Sequence, residues 1–200
     1  MGRTPNTGDL GLEQAGVELE GHSIRVNDYM ETTAPGIFAI GDVTGKMQLA
    51  HVATAQGRVV VDNLLDPSAG VSMDYAQVPA AVFTHPEIAT IGLSTAAAEA
   101  QGLPVQTGRF PFAAIGKALA AGETDGFVKL IAHAETGQLL GGHIIGGHAA
   151  ELIGQITLAI KMGATARQLA ETIFAHPTLS EAVLEAAEGT FGPATHTVRR

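Results

Sequence analysis

Six consecutive residues near the C-terminus, His176-Pro177-Thr178-Leu179-Ser180-Glu181, place an imidazole, a proline and a carboxylate within reach of one another. A histidine held by a carboxylate is the usual construction of a proton-transfer base near neutral pH. The same residues also read as a helix start. Thr178 and Glu181 have the spacing of a capping box, in which Thr178 caps and Glu181 returns to the cap N–H. On that reading His176 is only a pre-proline residue kept out of helical conformation. The two readings are compatible, because a capped helix would fix Glu181, and His176-Pro177 is a candidate cis bond. Such a base needs a partner for the harder chemistry, and with no cysteine in 200 residues no redox centre or evident nucleophile stands out.

A second candidate is Gly41-Asp42, at the end of the apolar run Gly36-Ile37-Phe38-Ala39-Ile40. Strand ends are where open α/β sheets contact ligands, and an ionised Asp there would accept hydrogen bonds from ligand hydroxyls. A helix beginning near Leu49 would add free N–H groups and a positive dipole end. The structural alternative is that Asp42 is a turn or cap residue. The remaining histidines lack metal-ligand spacing: His143 and His148 are not an i, i+4 pair, and His51, His85 and His133 are scattered. We expect no metal site. The glycines Gly141-Gly142 and Gly146-Gly147 do not follow a phosphate-loop order and read as strand-end and turn residues.

The elements that must position these groups fall into two parts. Residues 1–72 read as a turn-rich opening, a short buried strand over 36–42, and a helix from Leu49 to Leu65 stopped by Asp66-Pro67. One strand and one helix cannot bury each other, so this part reads as the end of a larger α/β domain. Residues 73–192 carry strands near 80–85, 88–93, 105–112, 126–133 and 139–145. Helices are expected from Ser94 to Gly102, His148 to Met162, Ala166 to Phe174 and Leu179 to Ala187. Strands followed by helices indicate an α+β fold, a mixed or antiparallel sheet with helices on one face. Residues 193–200 form a polar tail ending in Arg199-Arg200, read as a solvated terminus.

Bulk properties narrow the function. The net charge of −9 argues against nucleic acid as a partner, since phosphate binding rests on Lys and Arg. No apolar run approaches the ~20 residues of a membrane span, and the N-terminus has no apolar region after Arg3 to make a signal peptide. Absence of cysteine suits a cytoplasmic protein. Charged residues are 16% against about 25% in an average domain, as expected of surface covered by another subunit or domain, or of a monomer with an unusually large core.

Six blocks, in order, resemble the C-terminal portion of the pyridine nucleotide-disulfide oxidoreductase family, nearest its lipoamide branch. They are Gly2-Arg3-Thr4-Pro5-Asn6, Ala39-Ile40-Gly41-Asp42-Val43, Leu49-Ala50-His51, Thr84-His85-Pro86-Glu87, Phe110-Pro111-Phe112 and Ala175 to Glu181. The resemblance implies the tail of an FAD-binding domain followed by the dimerisation domain of a flavin disulfide reductase. It implies that Asp42 binds the flavin ribityl chain, that Gln48, Leu49, Ala50 and His51 lie beside the flavin ring, and that Gly2 edges the NAD site. It further implies a homodimer in which His176 accepts a proton from dihydrolipoamide while Glu181 orients the imidazole. Electrons would pass through a disulfide and FAD to NAD, and the lipoamide would be carried by the acyltransferase (E2) of a 2-oxoacid dehydrogenase complex. Gln48 departs from the family's usual methionine, and Phe174 from a frequent histidine. The family's FAD fingerprint, cysteine pair and NAD fingerprint are expected upstream of residue 1, so the chain alone should be inactive. The alternatives are a non-catalytic dimerisation or interaction module, or a glutathione or mercuric reductase-like enzyme.

Overall fold

A computed structural model describes residues 2–197; Met1 and the Arg199-Arg200 pair lie outside the described residues. The chain divides into two compact units, Met1–Tyr75 and Ala76–Arg200.

The first unit is mostly turns. A two-residue hairpin, β1 (Leu19–Glu20) and β2 (Ser23–Ile24), precedes a 3-10 turn over Gly41–Thr44 and the helix α1 (Ala50–Leu65). A small core of Val17, Ile24, Ala34 and Ala39 holds the turns together. The strand expected over 36–42 does not form. The segment makes one isolated bridge, Glu31 to Phe38, before turning into the 3-10 segment. A strand exists only through a ladder with a neighbour, and Ile37 and Ile40 are instead 40% and 43% exposed. The helix behaves as its pattern predicts and stops at Asp66, whose carboxylate accepts the Ser68 N–H (2.9 Å).

The second unit is built on a five-stranded antiparallel sheet in the order β3-β4-β7-β6-β5. Its strands are β3 (Ala80–Val82), β4 (Glu87–Gly92), β5 (Val105–Pro111), β6 (Phe127–His133) and β7 (Leu139–Gly146). The helices are α2 (Thr95–Ala100), α3 (Gly116–Ala121), α4 (Ala149–Lys161), α5 (Ala166–Ala170) and α6 (Glu181–Glu188). Alternation along the strands sends Ala89, Ile91, Val128, Leu130 and Ile144 to one face, where α4 and α6 cover them. There they meet Leu152, Ile153 and Ile156 of α4 and Ala182, Val183 and Ala186 of α6. Lys129 points to the other face and donates to Thr95 Oγ1 at the start of α2 (2.8 Å).

Three details differ from expectation. Gly141 and Gly142 lie inside β7, where a side chain at Gly142 would come within 2.7 Å of Ile156, while Gly146 ends the strand and Gly147 is in the turn, as expected. The fifth helix is shorter than expected, ending at Ala170, and a genuine capping box at its start joins Thr165 and Gln168. The helix α3, which follows a 3-10 turn over Phe112–Ala114, is too short to announce itself by periodicity.

Candidate functional site

The segment from Ala175 to Glu181 delivers the pairing that its spacing suggests. His176 Nδ1 lies 2.8 Å from Glu181 Oε1, and the second oxygen, Oε2, accepts the Thr178 N–H at 2.9 Å. An ionised carboxylate only accepts, so Nδ1 carries the hydrogen and Nε2 keeps its lone pair in the neutral ring. The His176 side chain is 76% exposed and Glu181 25%. The peptide His176-Pro177 is cis. Only half of the expected capping box is present: the Thr178 hydroxyl donates instead to the Ala175 carbonyl (2.7 Å), while Ser180 takes the N-cap position without its side chain capping the helix. Glu181 is thus free to hold the imidazole with one oxygen while the other stays on the backbone.

Burial pushes the Glu181 carboxyl up, but the Thr178 N–H and the His176 ring outweigh it and hold the group below its ordinary value. The helix that carries Glu181 lies directly on the sheet. A Cβ at Gly108 of β5 would approach the Ala186 carbonyl to 1.9 Å, so only glycine lets α6 sit this close. Gln155 of α4 adds a brace by donating from Nε2 to Ser180 Oγ (2.7 Å).

The other predicted residues belong to the first unit. Asp42 is exposed within the 3-10 turn, and its carbonyl accepts the Gly45 N–H at 3.1 Å. Gly41, at a φ of 76°, is buried and donates its N–H to Gln56 Oε1 (2.6 Å). Gln56 is wholly buried in α1 and donates onward to the Tyr75 hydroxyl at 2.9 Å. Sequence reasoning missed this brace, although an amide inside the apolar stripe of a helix was a visible signal. Gln48 and Leu49 are half-buried, Ala50 and His51 exposed, and no side chain caps the start of α1. Gly2 is exposed, and a Cβ there would meet nothing within 4 Å. An exposed carboxylate on a braced turn, followed by an uncapped helix start, can accept from hydroxyls and face an electron-rich group.

One further pair was not foreseen. The Glu185 side chain, 3% exposed, accepts from the ring of His196 through Oε1 and from the His196 N–H through Oε2 (3.0 Å).

Residues 78–187 match the family described as pyridine nucleotide-disulphide oxidoreductase, dimerisation domain, and residues 1–57 match pyridine nucleotide-disulphide oxidoreductase. The chain belongs to this family. Among curated relatives it is similar to the dihydrolipoyl dehydrogenases of Chlamydia muridarum, 48% identical over 94% of this chain and 40% of the relative, and of Bacillus subtilis, 42% identical over 100% and 42%. The fold superposes on the crystal structure of LpdA from Mycobacterium tuberculosis with a TM-score of 0.88 at 36% identity, covering 94% of this chain and 41% of the other. It also matches the HOCl-induced flavoprotein disulfide reductase RclA of Escherichia coli, with a TM-score of 0.85 at 29% identity over 94% and 43%. The chain spans about two fifths of the length of the relatives it matches.

Proposed function

We propose that this chain supplies the acid–base residue and the dimer-forming part of a cytoplasmic dihydrolipoyl dehydrogenase. The observation that carries the reading is the exposed His176 ring held at 2.8 Å by the Glu181 carboxylate. Oxidising a dithiol to a disulfide gives up two electrons and two protons, while reducing NAD takes two electrons and one proton. One proton is left over. His176 is the group to accept a thiol proton, through the Nε2 lone pair that the Glu181 bond leaves available, and Glu181 stabilises the imidazolium that results.

The first unit fits a polyhydroxylated, electron-rich cofactor. Its Asp42 carboxylate is exposed on a turn braced by Gln56, and the start of α1 that follows is uncapped. FAD, when bound, would supply the relay of two electrons between the dithiol–disulfide pair and NAD. Asp42 would hold its ribityl hydroxyls, Gln48, Leu49, Ala50 and His51 would face its ring, and Gly2 would edge the NAD site. Large apolar side chains exposed on the second unit, among them Phe83, Met162 and Ile173, support a homodimer that covers them. The substrate is dihydrolipoamide carried by the acyltransferase of a 2-oxoacid dehydrogenase complex.

The chain has no cysteine, so by itself it should not reduce NAD with dihydrolipoamide. In a polypeptide joining it to a flavin- and cysteine-bearing portion, His176→Gln should lower turnover by ~10²–10⁴-fold with the flavin still bound. Near-normal turnover in that variant removes His176 as the base.

A further inference from the structure

Helix α6 carries three glutamates, Glu181, Glu185 and Glu188, at i, i+4 and i+7, a spacing that lines them along one side. Each takes a partner from the chain that flanks the helix. Glu181 holds the His176 ring and the Thr178 N–H from the segment before it. The segment after the helix doubles back, so that Glu188 accepts the Thr195 N–H (2.6 Å) and Glu185 takes both the ring and the N–H of His196. Ala194 is buried in the core beside them. Two imidazoles therefore share a single row of carboxylates.

We propose that His196 is a positioning residue for the His176–Glu181 pair, bonding a second imidazole into the same row of carboxylates one helical turn along. The inference rests on the acid–base reading of His176 given above. Glu185 is almost fully buried, and a buried carboxylate needs a charged or hydrogen-bonded partner. His196 meets that need on both carboxylate oxygens, which explains why the chain returns to α6 at this residue. The Glu185 hydrogen bond, then its charge, and further Glu181 and Glu188, hold the His196 ring protonated above its ordinary value. The positive charge in turn helps keep Glu181 ionised.

Among the described residues, the other charges around α6 have their own places. Arg167 of α5 and Glu171 just after it line the hollow beside Glu188 and Thr195, with the Arg167 guanidinium over the Phe191 ring (4.4 Å). From the sheet, β5 presents Gly108 to α6, while Arg109 stacks on Phe127 and Lys129 reaches Thr95 on the other face. Gln155 of α4 meets Ser180 as a neutral amide. Among the described residues, His196 is thus the basic side chain bonded into the carboxylate row next to the pair.

The test compares His196→Asn, which keeps a donor but no charge, with His196→Lys, which keeps the charge. Carbon-13 NMR of the Glu181 carboxyl in this chain should show its midpoint moving up toward the ordinary glutamate value in His196→Asn and staying in His196→Lys. In the polypeptide joined to a flavin- and cysteine-bearing portion, the acid limb of the pH–turnover profile should move to higher pH in the Asn variant alone, because Glu181 then acts on His176 undivided. A merely structural role for His196 would shift both variants alike or neither, and either result overturns the proposal. Should His196→Asn not fold, His196→Gln serves as the neutral variant. If the joined polypeptide shows no lipoamide turnover, the acid–base reading falls, and the carboxyl titration still decides the role of His196.

Discussion

The two imidazole–carboxylate pairs on α6 use the same chemical groups and differ in how deeply the carboxylate is buried. In both the imidazole is exposed, 76% for His176 and 72% for His196. The carboxylates separate them: each is shared between a ring and a backbone N–H, but Glu181 is 25% exposed and Glu185 3%. A carboxylate at the surface can steady a ring whose charge changes during a reaction. A buried one instead requires its partner, and so ties a chain segment in place. The comparison teaches that burial of the acid, not proximity of the base, separates a pair suited to proton transfer from a pair that fastens the fold.

The sharpest way to break this comparison is to remove each acid in turn. Glu185→Ala should destabilise the chain by about 2–3 kcal/mol, since it removes two hydrogen bonds to a buried charged group. It should also release residues 193–197 to proteolysis, and an unchanged urea midpoint would contradict it. Glu181→Ala should cost only ~1 kcal/mol, the value of a lost helix-start contact. In the joined enzyme it should reduce turnover less than His176→Gln does. Equal stability losses in the two variants would erase the distinction.

The smallest expected effect separates the pairs by pH. His196 binds its proton more tightly when folded, because of the hydrogen bond to Glu185 and then that carboxylate's charge. Its contribution is therefore complete below the ordinary histidine value of 6.5 and fades as pH rises through the raised folded value. Glu181 has the opposite sign. Burial works against its ionisation but is outweighed by the Thr178 N–H and His176, so its contribution is present above 4.5 and fades as pH falls through the lowered value. Urea midpoints should thus decline from pH 6 to pH 8 less steeply in His196→Asn than in the parent chain. The decline below pH 4.5 should be shallower in Glu181→Ala.

Much of the second unit was legible because its signals are local. The helix α4, the start of α2 at Ser94 and the six-residue reach from His176 to Glu181 all depend on near neighbours. Where a partner lies far along the chain, local reading failed. The apolar run at 36–42 reads as a strand, but a strand needs a ladder, and only the Glu31–Phe38 bridge is present. Gln56 stands out as an amide in the apolar stripe of α1, but its partner Tyr75 lies 19 positions on, and only the fold closes the brace beneath Gly41.

By itself, the sequence determined the two-part organisation of its motifs, the helix that bears Glu181 and the family resemblance, because periodicity and short spacing are set by backbone geometry alone. The tertiary structure decided the order β3-β4-β7-β6-β5, the close seat of α6 on Gly108, and the return of His196 to Glu185. Those depend on burial, which no single stretch of chain can show: a glycine is required only where another backbone arrives, and a carboxylate needs a partner only once water has been excluded from it.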